Sequence, residues 1–307
     1  MIPSYDALPE LGTLGIKHSW GVLPPALGTL SFLTERAVRA AAHEVQTGET
    51  VSLSVAFAEF QPPLFGRQSL TNVISETERN IFEDCIGSFN PQASSQWDGL
   101  THVRAREHGF YSGITDTAEA AETLGMHHWA ARGIAGRGVL VDVAGHRAAQ
   151  KRQWDPFAGD VVDHREIEEI LRSQNVSLAA GDILCIRLGW LAEFRRRATA
   201  GSKSASVGDR FSGIASTHEM ARFLWDHHVA AVCADNPAIE SAPGDPKNGS
   251  LHRRLIPGLG FALAELLDFE VLARRCAERA SYSFLFTAAP LAIVGAASST
   301  ANALAIV

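Results

Sequence analysis

Cysteine is scarce in this chain. Cys85, Cys185, Cys233 and Cys276 lie far apart and form no C-x-x-C pair. That argues against a disulfide framework, and the thiols read as reduced, mostly buried groups of a cytoplasmic protein. Long apolar runs are missing too. The stretch 286–297 is interrupted by Pro290 and Gly295 and is too short to span a bilayer, so no membrane partner is expected. Nothing at the N-terminus has the charged-then-apolar form of a signal peptide. Basic runs are absent, and a net charge of −7 makes nucleic acid a poor partner. No G-x-S-x-G marks a nucleophile elbow, and no cysteine has local support as a nucleophile. Gly133-x-x-Gly136-x-Gly138 precedes a strand instead of following one, so a phosphate there would meet no helix N-terminus.

What remains describes a globular α/β protein. Hydrophobic content of 46% over 307 residues supplies ample core for one large domain or two small ones. Residues 1–33, rich in Gly, Pro and aromatics, read as an ordered N-terminal arm. Thr34 caps a helix that Gly48 stops, Asp116 opens another, and Thr217 caps a third running to His228. Alternation in 51–55 and the apolar runs at 137–143, 183–188, 229–235, 283–286 and 303–307 predict strands. Loops are expected from Pro62 to Ser75, over the small polar stretch 200–215, and at 243–249. Residues 251–269 read as apolar helix segments broken at Pro257-Gly258-Leu259-Gly260. Strands and helices alternate, no repeat or linker is visible, and a single domain over 1–307 is favoured.

One stretch, 96–108, concentrates chemistry. It carries Gln96, Trp97, Asp98, His102, Arg104 and His108, with Asp98 and His102 four apart and His108 six further on. A carboxylate with imidazole nitrogens suits a borderline divalent ion such as zinc or manganese. A third imidazole at that range can serve as a general base. The plain alternative is a surface ion pair. Asp235, at the end of a buried strand, is either a crevice residue or a turn carboxylate.

The stretch resembles the signature of the metal-dependent cyclase-family hydrolases, the group that includes kynurenine formamidase and isatin hydrolase. Their pattern, H-x-G-T-H-x-D-x-x-x-H, lies over 98–108. Thr101-His102 and His108 match. Asp98, Leu100 and Arg104 stand in place of the family's His, Gly and Asp. Asp98 can still ligate a metal and Arg104 cannot, which argues against a second, bridged ion. Leu251-His252, Gly258-Leu259-Gly260 and Glu265 resemble the family's second motif. Similarity at Trp20-Gly21, Gly28-Thr29-Leu30, Gly136-Arg137-Gly138, Gly181-Asp182 and Gly189-Trp190 extends it over most of the chain.

The resemblance implies a swivelling β/β/α fold with a mixed sheet wrapped by helices, and a homo-oligomer. It implies hydrolysis of an amide, lactam or lactone at a zinc or manganese ion held by Asp98, His102 and His252. Glu265 would complete the centre and His108 would act as general base. Gln96, Trp97, Tyr111 and Asp235 become candidates for contact with a small, flat aromatic substrate, and Arg104 for its carboxylate. Metal-dependent lyase or cyclase chemistry, and a metal-free binding protein, are the rival expectations.

Overall fold

The computed structural model describes residues 2–199 and 210–307. Two buried apolar runs anchor it. Ile183–Arg187 and Ala231–Ala234 carry almost no polar alternation and are covered on both faces, as strands in the middle of a parallel sheet must be. In chain order the sheet contains β1 (Thr50–Ser52), β2 (Gln96–Asp98), β3 (Ile134–Asp142), β4 (Ile183–Arg187), β5 (Ala231–Ala234), β6 (Ala262–Glu265), β7 (Ser283–Ala288), β8 (Ser298–Thr300) and β9 (Ala303–Ile306). Its spatial order is β8-β2-β6-β5-β4-β3-β7-β9-β1. The four central strands β3 to β6 run parallel. The other pairings of this sheet are antiparallel. The result is a single-domain α/β fold built on a curled, mixed sheet with helices over its faces.

The helices follow local rules. Thr34, Asp116, Asp163 and Thr217 each accept a hydrogen bond from a backbone N–H in the first turn that follows. The helix His164–Ser173 buries Ile167, Ile170 and Leu171, one stripe at helical spacing. Among the described residues no helix is long and apolar enough to cross a membrane.

Several expectations need correction. The strand expected over 51–55 covers only Thr50–Ser52. Part of the loop expected from Pro62 to Ser75 is a strand: Thr71–Glu78 pairs antiparallel with Ile81–Ser88 in a separate hairpin. It was hidden because neither of its faces meets the core. Adjacent Val73 and Ile74 are 61% and 67% exposed, so there is no buried face to set an alternation. The expected helix over 251–269 is one turn, Leu251–Arg253, then a wide π turn, Arg254–Leu259, then strand β6. A short apolar run carries no periodicity that separates a buried strand from a buried helix. Of the expected loop 200–215, residues 200–209 lie outside the described residues. Phe211, Ser212 and Ile214 are buried, and Gly213–Ile214 pairs with Val161–Val162.

The N-terminal arm clamps the π turn. Ser19 N donates to Gly258 O (3.0 Å), Trp20 Nε1 to Pro257 O (2.7 Å) and Thr29 N to Gly260 O (2.8 Å). Gly28, at φ +53, sits so close that a Cβ would lie 2.0 Å from Gly260 O. Gly28→Ala is therefore expected to destabilise the fold by roughly 1–3 kcal/mol, the usual cost of overpacking. An unchanged urea midpoint would show that the clamp does not constrain this position.

Candidate metal centre

Side chains of a strand alternate between its faces, so Gln96 and Asp98 of β2 share one face and Trp97 points to the other. Neighbouring β6 pairs antiparallel, with Glu265 opposite Gln96 and Leu263 opposite Asp98. Cross-strand partners meet on one face. Gln96 Nε2 accordingly donates to Glu265 Oε2 (2.5 Å), and Gln96 Oε1 accepts from Arg67 Nη1 (3.2 Å). Both carboxylates, Asp98 and Glu265, are buried.

His252 is delivered by the one-turn helix that Ser250 caps. Its Nε2 lies 2.9 Å from Glu265 Oε1 and 3.8 Å from Asp98 Oδ2. Glu240 orients it from behind, accepting from His252 N (2.9 Å) with Oε1 3.6 Å from Nδ1. His102 follows the turn after β2 and brings Nε2 within 3.8 Å of Asp98 Oδ2. Gln92 Nε2 donates to Asp98 Oδ1 (2.7 Å) and sits 3.3 Å from His102 Nδ1. Asp98 Oδ2 is left buried with no hydrogen-bond donor. One ligand atom from each of Asp98, His252 and Glu265 falls within 4.8 Å of the other two.

Electrostatics divide the groups. Burial pushes the Asp98 carboxyl up, but the facing imidazoles of His252 and His102 and the Gln92 amide outweigh it and hold it below its ordinary value. Burial, helped by the Asp98 charge, pushes Glu265 up to about 7. Burial lowers His102. For His252 burial acts in the same direction, but Asp98, Glu240 and Glu265 overcome it and raise it well above the usual imidazole value. Two buried carboxylates on one imidazole, with one oxygen lacking a donor, form a donor set that fits a divalent cation.

Of the ten expected site residues, the structure brings Gln96, Asp98, His102, His252 and Glu265 together. Glu265 reaches the cluster from a strand, not from the expected helix. Trp97 is fully buried on the opposite face, edge-on to Trp129 and Phe286, with Nε1 donating to Ala301 O (3.0 Å). Asp235 is buried with both oxygens taken by the backbone N–H groups of Leu188, Gly189 and Trp190. Tyr111 is buried with its hydroxyl 3.2 Å from Ser19 Oγ. Arg104 is exposed, donates to Thr115 O (2.9 Å) and lies over the Phe110 ring. His108 has a buried Nε2 without a hydrogen bond, 3.5 Å from Glu107 Oε1. Among the described residues no hydrogen bond or ion pair joins His108 to Asp98, His252 or Glu265.

Sequence reasoning missed Gln92, Arg67 and Glu240. Gln92 sits in a polar lead-in to the signature. Arg67 and Glu240 reach the site only through the fold, so spacing carries no trace of them.

Residues that orient metal ligands are commonly worth 10- to 100-fold in affinity. Gln92→Ala is accordingly expected to weaken divalent-metal binding by about that factor, and His252→Ala to weaken it further, in calorimetric titrations of metal-stripped protein with zinc or manganese. Equal affinity in all three proteins would remove the metal from this cluster.

The family model described as putative cyclase matches residues 51–241, ending before His252 and Glu265. No curated protein matches the chain. A crystal structure described as a novel cyclase superposes with a TM-score of 0.81 at 27% identity, covering 94% of this chain and 99% of its own. Isatin hydrolase A from Labrenzia aggregata, bound to benzyl benzoate, gives 0.61 at 15% identity, with 87% and 95% covered. An isatin hydrolase bound to the product analogue thioisatinate gives 0.59 at 14%, with 90% and 98% covered. At such identities the last two share the fold.

Proposed function

Because the chain belongs to the putative cyclase family, we propose that it is a metal-dependent hydrolase. Its substrate would be a small cyclic or aryl amide, lactam or lactone, cleaved at a C–N or C–O bond. The observation that carries this reading is Asp98 Oδ2, buried without a donor and 3.8 Å from imidazole nitrogens of both His102 and His252. Asp98, His102 and His252 would hold a zinc or manganese ion, with Glu265 close by. Such an ion, when bound, polarises a carbonyl and lowers the pKa of water towards about 7.

The chain's own residues supply orientation and proton handling. Gln92 fixes one Asp98 oxygen and turns the other towards the imidazoles. Glu240 holds the His252 ring from its far side. Gln96, itself held by Arg67, ties Glu265 Oε2 and leaves Oε1 facing inward. A carboxyl oxygen held facing the cluster can take a proton and return it. We therefore assign proton transfer to Glu265 Oε1, with His108 the second candidate on the strength of its motif. A homo-oligomer is part of the same reading, and light scattering of the purified protein tests it.

A screen of lactones, imides and N-formyl aromatics, read by product mass, tests the reaction class. Hydrolysis adds one water, whereas lyase or cyclase chemistry does not. On a substrate so found, Glu265→Gln is expected to lower kcat by roughly 10²–10⁴, and His108→Ala to leave kcat and its pH profile near wild type. Metal content is measured on each variant so that loss of the ion is not mistaken for loss of proton transfer. The opposite ranking would move the role to His108.

A further inference from the structure

A cavity of about 360 Å³ opens between the turn at 14–16 and the loop 246–250. Five basic residues line it: Arg106, His218, Lys247, Arg253 and Arg254. Among the described residues no acidic one does. Among the described residues, Arg106, Lys247, Arg253 and Arg254 form no ion pair. Arg253 Nε is buried and has no hydrogen-bond acceptor. Arg254 is only 6% exposed. It donates to neutral groups, Ser216 O (3.2 Å) and Asn248 O (2.5 Å), and lies 3.1 Å from His218 Nε2. Those carbonyls satisfy its N–H groups without cancelling its charge. Glu219 and Glu240 act on Arg254 through space, without forming an ion pair with it. Glu240 is already engaged by Ser250 Oγ and His252 N.

A concentration of cations with no carboxylate in contact is unfavourable on its own, even in a chain of net charge −7. Like charges raise one another's energy, and a buried cation costs more than an exposed one. The arrangement becomes favourable when an anion enters. Guanidinium forks match the planar or tetrahedral oxygens of carboxylate and phosphate, and a lysine adds a point charge. The volume lies at the small end of ligand pockets, about 300–1,000 Å³. We propose that this cavity is a binding site for the oxyanion group, carboxylate or phosphate, of a small molecule. Ser250 lines the cavity and also donates to Glu240, which orients His252. An anion in the cavity would therefore sit one hydrogen-bonded residue away from the cluster's support. The site does not depend on the hydrolase reading.

Calorimetric titration of metal-stripped protein with inorganic phosphate and, separately, with succinate tests it. Metal is removed first so that neither anion can bind through an ion at the cluster. Saturable binding of at least one is expected, weakened about tenfold or more in both Arg253→Gln and Lys247→Gln, with Arg36→Gln as the remote control at wild-type affinity. Phosphate alone would assign phosphate-bearing ligands, and succinate alone carboxylates. Circular dichroism checks that each variant folds, and Arg254 is left intact because it is buried. Absence of saturable binding for both anions overturns the proposal. So does binding that neither pocket variant weakens.

Discussion

Two carboxylates buried against one imidazole set the terms for this structure. An ionised carboxylate out of water is costly unless donors or opposite charge surround it. Asp98 and Glu265 meet that requirement in different ways. Asp98 stays ionised because His252, His102 and Gln92 face it, while Glu265 rises towards neutrality because burial disfavours its charge and its neighbour already carries one. Environments that push two titratable groups apart are how one site separates a ligand from a proton carrier. A cation placed among Asp98, His252 and Glu265 would relieve the remaining imbalance, including the donor that Asp98 Oδ2 lacks.

Everything around the pair serves to hold it. The parallel core strands carry β6 to the edge of β5, and β2 adds antiparallel outside it. That register places Gln96 against Glu265 and brings Asp98 onto the same face. The π turn after His252 cannot drift, because the N-terminal arm hydrogen-bonds to Pro257, Gly258 and Gly260. Residues nearly 240 positions apart thus meet over the turn that follows His252.

Much of this was legible in the sequence because it is local. The caps at Thr34, Asp116 and Thr217 depend on a side chain and an N–H a few residues on. The strands at 183–187 and 231–234 show in continuous apolar runs. Asp98 and His102 are neighbours by spacing, and the resemblance pointed to His252 and Glu265. What stayed hidden depends on partners distant along the chain. Glu265 looked helical because four apolar-flanked residues carry no period. Trp97 looked like a site wall because a linear motif does not say which face of a strand a residue takes. The hairpin 71–88 lacked a buried face, and Arg67 and Glu240 join the site only once the sheet is assembled.

The central claim is that Asp98, His102 and His252, with Glu265 close by, form one divalent-metal centre. X-ray absorption at the zinc or manganese edge of the metal-loaded protein tests it most directly. The account predicts a first shell of nitrogen and oxygen only, with imidazole scattering that weakens in His252→Ala and in His102→Ala. A sulfur-containing shell, or an all-oxygen shell identical in wild type and both variants, would contradict it.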